Sequence, residues 1–131
     1  MLPMPDMTPI QGELQGQVMA ALWRLGAGTV EQVRAELPPR YRGAYTTVQT
    51  VLNRLGERGL LDRAREGRGI VYRPAMSEAE YLSGTIRRTL AGASSDARQA
   101  ALASILGGLG RDELSNLQEL AQEAQAQRRR S

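Results

Sequence analysis

The feature that most constrains the fold is a change of hydrophobic period within the first 74 residues. Apolar residues first recur at helical spacing and predict an amphipathic helix: Leu14, Val18, Ala21, Leu22 and Leu25. A second, short helix is predicted from Thr29, whose capping-box spacing to Gln32 is typical of a helix start, to Pro38. A third is predicted from about Tyr45 to Arg58, with one apolar side: Val48, Val51, Leu52 and Leu55.

After the third helix, the pattern changes to two short strands around a glycine-bearing turn, and Pro74 closes the second strand. Three helices followed by a β-hairpin, in that order and at these short spacings, predict a winged helix-turn-helix domain. We place this domain at residues 11–76, behind a flexible leader at residues 1–10.

The rest of the chain is predicted to form a helical region at residues 77–127 and a basic tail at residues 128–131. Three helices are expected in the helical region, with approximate bounds of 78–90, 96–106 and 112–127. A small, polar joint at residues 91–95 separates the first of them from the second. The predicted fold class is mainly α with a small β-hairpin: a winged helix-turn-helix domain plus a C-terminal helical dimerisation region.

Composition excludes several classes of chemistry. The 131 residues include no Cys, His or Lys, so disulfides, Cys/His zinc sites, thiol nucleophiles, histidine bases and Schiff-base lysines are ruled out. There is no Gly-rich phosphate loop, calcium-loop pattern or pair of acids with a defined partner. We therefore predict that the chain is not an enzyme and holds no cofactor or metal. No apolar run approaches the roughly 20 residues of a membrane span, so we expect a cytoplasmic protein without a membrane partner.

The positive charge is all arginine, and it is unevenly distributed. Residues 34–73 hold nine arginines and four acids, a local charge of +5. Residues 74–127 hold four arginines and seven acids, a local charge of −3. The two regions are expected to meet different partners.

The outward face of the third predicted helix carries short, uncharged hydrogen-bonding side chains: Thr46, Gln49, Thr50 and Asn53. Such side chains can reach base edges in a major groove, where Gln pairs with adenine and the Thr methyl group rests on thymine. Thr47 and Arg54 flank this face, where phosphates would lie. We favour DNA reading over an ordinary solvated face, because such a face usually mixes Glu, Lys and Arg.

Arginines also crowd the hairpin and the loop before the third helix. On a thin, extended wing, arginine suits both phosphate pairing and narrow grooves. The candidates for phosphate or wing contacts are Arg40, Arg42, Arg63, Arg65 and Arg68. The alternative for the hairpin is a charged edge strand that discourages aggregation. Tyr41 and Tyr45, near the start of the third helix, are equally consistent with packing.

The acidic C-terminal region carries more large apolar side chains than its helices can bury alone: Leu102, Ile105, Leu106, Leu109, Leu114, Leu117 and Leu120. We predict that these residues form a dimer interface with a second copy of the chain. The alternative is packing back onto the winged helix, which the flexible joint disfavours. Two-fold symmetry would set two recognition helices about 34 Å, or a multiple of it, apart.

A family resemblance lies in residues 44–55, AYTTVQTVLNRL, and in the Glu-Arg-Gly-Leu-Leu run at residues 57–61. These segments resemble the recognition helix of the BlaI/MecI penicillinase-repressor family. Other residues that share the resemblance are Glu13-Leu14, Val18-Met19, Leu22-Trp23 and Tyr72. The resemblance covers about Leu14 to Ala121. It implies a homodimeric repressor that binds a palindromic operator through an N-terminal winged helix and dimerises through C-terminal helices.

The resemblance also implies site residues. Family contacts to DNA would fall on Thr46, Thr47, Gln49, Thr50 and Arg54. Positions 46 and 49 are often basic in the staphylococcal members of the family, whereas here they are Thr and Gln, so the resemblance implies phosphate anchoring but no particular operator sequence. In antibiotic-responsive members, a membrane sensor leads to cleavage in the dimerisation region. The corresponding bond here is Ser104-Ile105, where family members have Asn before an aromatic residue, and the resemblance thus implies a signalling protease as a partner.

These features predict a sequence-specific DNA-binding transcriptional regulator. We expect a homodimeric repressor that binds a palindromic operator on double-stranded DNA through helix 45–58 and the wing 61–74. One alternative is a winged helix used for protein contacts, which would need apolar anchors where the third helix carries neutral polar groups. The other is a sequence-independent architectural DNA binder, which any duplex would displace equally.

Overall fold

A computed structural model describes residues 5–7, 9–10 and 12–130 of the chain. It divides the chain into two compact units, Met1–Thr89 and Leu90–Ser131. The α-helices and strands follow the predicted order: α1 Glu13–Leu25, α2 Val30–Glu36, α3 Tyr45–Glu57, β1 Leu61–Glu66, β2 Gly69–Pro74, α4 Glu78–Ala91, α5 Ser95–Gly107 and α6 Arg111–Arg130. A 3₁₀ turn at Pro39–Tyr41 lies in the predicted loop between α2 and α3. The fold is mainly helical with one small antiparallel hairpin, so the predicted class, mainly α with a small β-hairpin, is confirmed.

The first unit is built around one hydrophobic core. The helices α1, α2 and α3 contribute fully buried side chains, among them Val18, Leu22, Val33, Val48 and Leu52. Burying one such side chain contributes about 1.5–3 kcal/mol to the stability of the fold, so its apolar stripe holds each helix against the core. The predicted inner side of α3 is buried throughout: Val48, Val51, Leu52 and Leu55.

Capping side chains determine where two of the helices begin. At α2, the Gln32 N–H donates to Thr29 Oγ1 (3.2 Å) and the Thr29 N–H donates to Gln32 Oε1 (2.9 Å), which is the predicted capping box. The same reciprocal pair joins Ser77 and Glu80 at the start of α4. Because each box satisfies N–H groups that the helix leaves unpaired, both starts are fixed locally.

Besides the pairing of its two strands, the hairpin forms a bridge to the turn between α1 and α2, which the sequence pattern does not predict. Strands β1 and β2 pair antiparallel along their full length. Gly28, in the turn between α1 and α2, forms a bridge to Tyr72 of β2, with N–H to oxygen distances of 2.9 and 2.8 Å in the two directions. A Cβ atom on Gly28 would lie 3.3 Å from Leu25 Cδ1, so close packing favours glycine there.

The beginning of α4 packs against α1. The Trp23 indole Nε1–H donates to the Met76 carbonyl oxygen (3.0 Å), just before α4 begins. The Trp23 ring lies against the Tyr81 ring, with their centroids 5.6 Å apart. Tyr81 is itself buried, so the start of α4 belongs to the core of the first unit.

The described part of the predicted flexible leader makes specific contacts with the first unit. The Asp6 N–H donates to the Arg58 carbonyl oxygen (2.8 Å), and the Arg58 guanidinium pairs with the Asp6 carboxylate at 3.3 Å. The Ile10 N–H donates to the Tyr81 hydroxyl (2.7 Å). These partners are far apart in sequence, so local periodicity gives no sign of them. Residues 1–4 and 8 of the leader lie outside the described residues.

The second unit consists of α5, α6 and the end of α4. In the described part of α5 and α6, no side chain is buried. Five large apolar side chains on these helices are 40–58% exposed: Leu102, Ile105, Leu106, Leu117 and Leu120. Two other predicted interface residues, Leu109 and Leu114, are half-buried.

Helix α6 extends further than the sequence pattern indicates. It continues to Arg130, whereas the sequence predicts a basic tail at residues 128–131. Arginines in a last helical turn interact favourably with the exposed carbonyl groups, so they prolong the helix. Ser131 lies outside the described residues. Across residues 5–7, 9–10 and 12–130, no helix has both the length and the apolar composition that a membrane crossing requires.

Candidate nucleic-acid interface

The four base-reading candidates lie on one side of α3, opposite its buried stripe. Thr46 and Thr50 are exposed, and Gln49 and Asn53 are half-buried. The Thr50 hydroxyl donates to the Thr46 carbonyl oxygen (2.9 Å), so its hydrogen is used within the helix. Its oxygen lone pairs and its methyl group remain available to a partner.

A cleft of about 470 Å³ lies between α2, α3 and the wing, which is the hairpin of β1 and β2. It brings together side chains that are remote in sequence: Thr29, Glu31, Tyr45, Gln49, Arg65 and Arg68. The base-reading candidate Gln49 and the wing candidates Arg65 and Arg68 therefore share one concave surface. Tyr45, for which the sequence left packing and binding open, is 44% exposed and lines this cleft.

Three of the predicted phosphate ligands have no protein partner within the described residues. No hydrogen bond or ion pair there holds the guanidinium group of Arg54, Arg65 or Arg68, and all three side chains are exposed. Arg63 lies over the Tyr72 ring, with Cζ 5.9 Å from the ring centroid. Thr47, the remaining candidate at the start of α3, is exposed. These side chains can bind a phosphate without first breaking an ion pair.

The two loop candidates already have protein partners. Arg42 Nη2 donates to two carbonyl oxygens at the C-terminal end of α2, at 2.9 and 3.1 Å, and so satisfies groups that a helix end leaves unpaired. Arg40 lies over the Tyr41 ring, 4.6 Å from its centroid, and pairs with Glu13 at 3.4 Å. Sequence reasoning missed both contacts. The one signal for the first is that Arg42 follows shortly after the end of a helix.

Two further expectations concern chemistry other than DNA binding. The bond that the resemblance implies for regulatory cleavage, Ser104-Ile105, lies inside α5, and both residues are exposed. Cleavage at this bond would therefore require local opening of the helix. In the part of the chain that the structure describes, no group of three acidic side chains comes together that could hold a metal ion.

Comparison with known proteins matches residues 11–123 to the family described as penicillinase repressor. The chain belongs to this family. The repressor is 38% identical over 117 residues to the transcriptional regulator BlaI of Mycobacterium tuberculosis, a match that covers 88% of this chain and 85% of that protein. It is 33% identical over 66 residues to the penicillinase repressor of Bacillus licheniformis, covering 50% of this chain and 52% of that protein.

Among solved structures, the repressor is similar to the solution structure of the DNA-binding domain of the repressor BlaI. The TM-score is 0.50 at 31% identity, and the match covers 60% of this chain and 94% of that domain. The predicted family is therefore confirmed. The predicted class of protein, a sequence-specific DNA-binding transcriptional repressor, is confirmed with it.

Proposed function

We propose that this repressor binds a palindromic operator on double-stranded DNA as a homodimer, with α3 in the major groove and the wing against the backbone. The observation that carries the proposal is the cleft in which Gln49 of α3 meets Arg65 and Arg68 of the wing. A side chain suited to base edges and two cations suited to phosphates thus face one concave surface. Sequence-specific recognition of a duplex combines both kinds of contact.

Helix α3 supplies the base-reading side chains. The Gln49 amide offers a donor and an acceptor, the combination that recognises adenine through N6 and N7. Thr46 and Thr50 are exposed and offer methyl groups suited to thymine as well as hydroxyl oxygens. Asn53 completes the set on the same side of the helix. Because none of the four is charged, their desolvation in a groove costs less than that of an ion.

Arginines provide the backbone contacts. Arg54, Arg65 and Arg68 are the principal phosphate ligands, because their guanidinium groups have no partner among the described residues. Arg63 on the wing and the Thr47 hydroxyl at the start of α3 provide further contacts to phosphates. Arg40 and Arg42 contribute less, since each must first leave a protein partner. The local charge of +5 over residues 34–73 supports this assignment.

A second copy of the chain is the proposed partner of α5 and α6. The exposed large apolar side chains on these helices support it, because a two-fold dimer buries the same surface in both copies. Such a dimer also matches a palindromic operator. We further propose that the repressor acts in the cytoplasm without catalytic activity, and that a signalling protease cuts Ser104-Ile105. The family resemblance is the support for this protease.

The test is selection of bound duplexes by the full chain from a library with a randomised centre. We expect a palindromic motif whose half-sites lie about 10 base pairs, or a multiple, apart. Gln49→Ala should lose preference at one base pair in each half-site. Arg68→Ala should weaken binding to every duplex and reduce the steepness of the salt dependence by about one in logarithmic slope. Equal displacement by unrelated duplexes would contradict the proposal and identify an architectural DNA binder.

A further inference from the structure

Tyr72 of the wing is fixed at three points. Its side chain is 1% exposed. Its backbone N–H and carbonyl oxygen both pair with Gly28, at 2.8 and 2.9 Å. Its hydroxyl donates to Oδ1 of Asn53 on α3, at 2.9 Å. One strand residue therefore connects the wing, the turn between α1 and α2, and the helix proposed to read DNA.

The hydroxyl bond of Tyr72 also restricts Asn53. A side-chain amide has one acceptor atom and one donor group, and a free Asn uses both to recognise adenine. In Asn53 the acceptor oxygen is turned to Tyr72, so the NH₂ group is the one left for another partner. The Tyr72 side chain is buried and leaving its hydroxyl unpaired would be costly, so its bond to Oδ1 keeps the Asn53 side chain against the wing.

Gln49, one helical turn before Asn53, provides the contrast on the same face of α3. Within the described residues, its amide has no hydrogen-bond partner in the protein. Gln49 can therefore turn either end of its amide to a base. Asn53 cannot do so without breaking its bond to the wing.

We propose that Tyr72 is a specificity-determining positioning residue, whose hydroxyl fixes the Asn53 amide so that Asn53 presents only a hydrogen-bond donor to the major groove. This inference rests on the proposed function, in which α3 reads base edges. A lone donor suits a base whose contacted edge accepts, such as guanine at O6 or thymine at O4. It does not suit the N4 amine of cytosine, which itself donates.

The experiment compares the duplex motifs selected by the full-length wild-type chain and by Tyr72→Phe and Asn53→Ala. Both substitutions should weaken preference at the same base pair of each half-site, by roughly five- to tenfold. The double variant should lose no more base-pair preference than either single variant, because each substitution already removes the same hydrogen bond between Tyr72 and Asn53. The matched control is Tyr81→Phe, which removes a buried hydroxyl that accepts from the Ile10 N–H instead. Its selected motif should equal that of the wild type.

Asn53→Asp provides a second test that does not alter the core. The aspartate can still accept from the Tyr72 hydroxyl, but it presents an acceptor where asparagine presents a donor. Preference at the affected base pair should therefore shift towards cytosine.

The possible outcomes separate this inference from the proposed function. A wild-type motif that Tyr72→Phe retains in full would overturn the inference and leave the proposed function standing. Additive losses in the double variant, or an unchanged preference in Asn53→Asp, would also overturn it. Failure of the wild-type chain to select any motif would overturn the proposed function and the inference together.

Discussion

The two units of the repressor use their apolar residues in opposite ways. In the first unit, α1, α2, α3 and the wing bury a continuous set of side chains in one core. In the second, the described parts of α5 and α6 bury none, and five large apolar side chains stand 40–58% exposed. The first unit thus has within itself what a stable fold needs, whereas the second has an apolar surface that a partner would cover. Mutations in the two units should therefore affect different equilibria.

Leu52→Ala should have the largest effect. Leu52 is fully buried in α3, so its truncation is expected to lower the free energy of unfolding by about 2–5 kcal/mol. Denaturant unfolding followed by circular dichroism measures this change. The matched control is Leu106→Ala on the exposed surface of α5, which should alter the unfolding of the first unit by less than about 0.5 kcal/mol. Equal losses in the two variants would contradict the distinction between the units.

Leu120→Ala should act on assembly rather than on folding. This side chain is exposed on α6. Because both copies contribute the same surface to a two-fold dimer, the substitution removes two leucine side chains from the interface. The expected total is about 2 kcal/mol, or roughly a thirtyfold rise in the dimer dissociation constant. Sedimentation equilibrium measures it, with Gln122→Ala on the same helix as the control. A wild-type chain that is monomeric at micromolar concentration would argue against the dimer.

The units also differ in what their arginines should do. Arg65→Ala removes an exposed, unpartnered cation from the wing, so DNA affinity should fall roughly three- to tenfold for every duplex sequence. Arg130→Ala removes a cation from the end of α6 and should leave DNA affinity unchanged. Fluorescence anisotropy of a labelled duplex, titrated at several salt concentrations, measures both. A loss of the same size in Arg130→Ala would place α6 in the DNA interface.

Asp6→Asn should have the smallest effect that can still be measured. The Asp6 and Arg58 side chains are 46% and 25% exposed, so breaking their ion pair should lower the free energy of unfolding by about 0.5 kcal/mol. Glu13→Gln is the matched control, because the Glu13–Arg40 pair is far more exposed, at 77% and 72%. Its effect on thermal unfolding should be smaller still. The reverse order of effects would contradict the expectation that the less exposed Asp6–Arg58 ion pair is the more stabilising of the two.

The α-helices and the hairpin are predictable from the sequence because each has a local signal. An apolar stripe predicted α3 from about Tyr45 to Arg58, and the structure has it at Tyr45–Glu57. The capping box at Thr29 predicted the start of α2 to the residue. Signals of this kind depend on residues three or four positions apart, so they are legible before the chain folds.

The contacts between elements were not predictable in the same way. The bridge between Gly28 and Tyr72 forms only when β2 reaches the turn after α1. The hydroxyl bond from Tyr72 to Asn53 likewise depends on how the wing packs against α3. Helix geometry placed the base-reading candidates on one face, but only the packed chain separates Arg42, which caps α2, from Arg68, which has no such partner.

The aromatic residues, including the packed pair Trp23 and Tyr81, determine which unit of this protein can be followed by its own fluorescence. The sequence has one Trp, four Tyr and no Phe, and all five aromatic residues lie between positions 23 and 81. Intrinsic ultraviolet fluorescence therefore reports on the first unit and gives no direct signal from α5 and α6. A dye that follows subunit exchange has to be attached within residues 90–131. Because the chain has neither cysteine nor lysine, that attachment point has to be introduced by mutation.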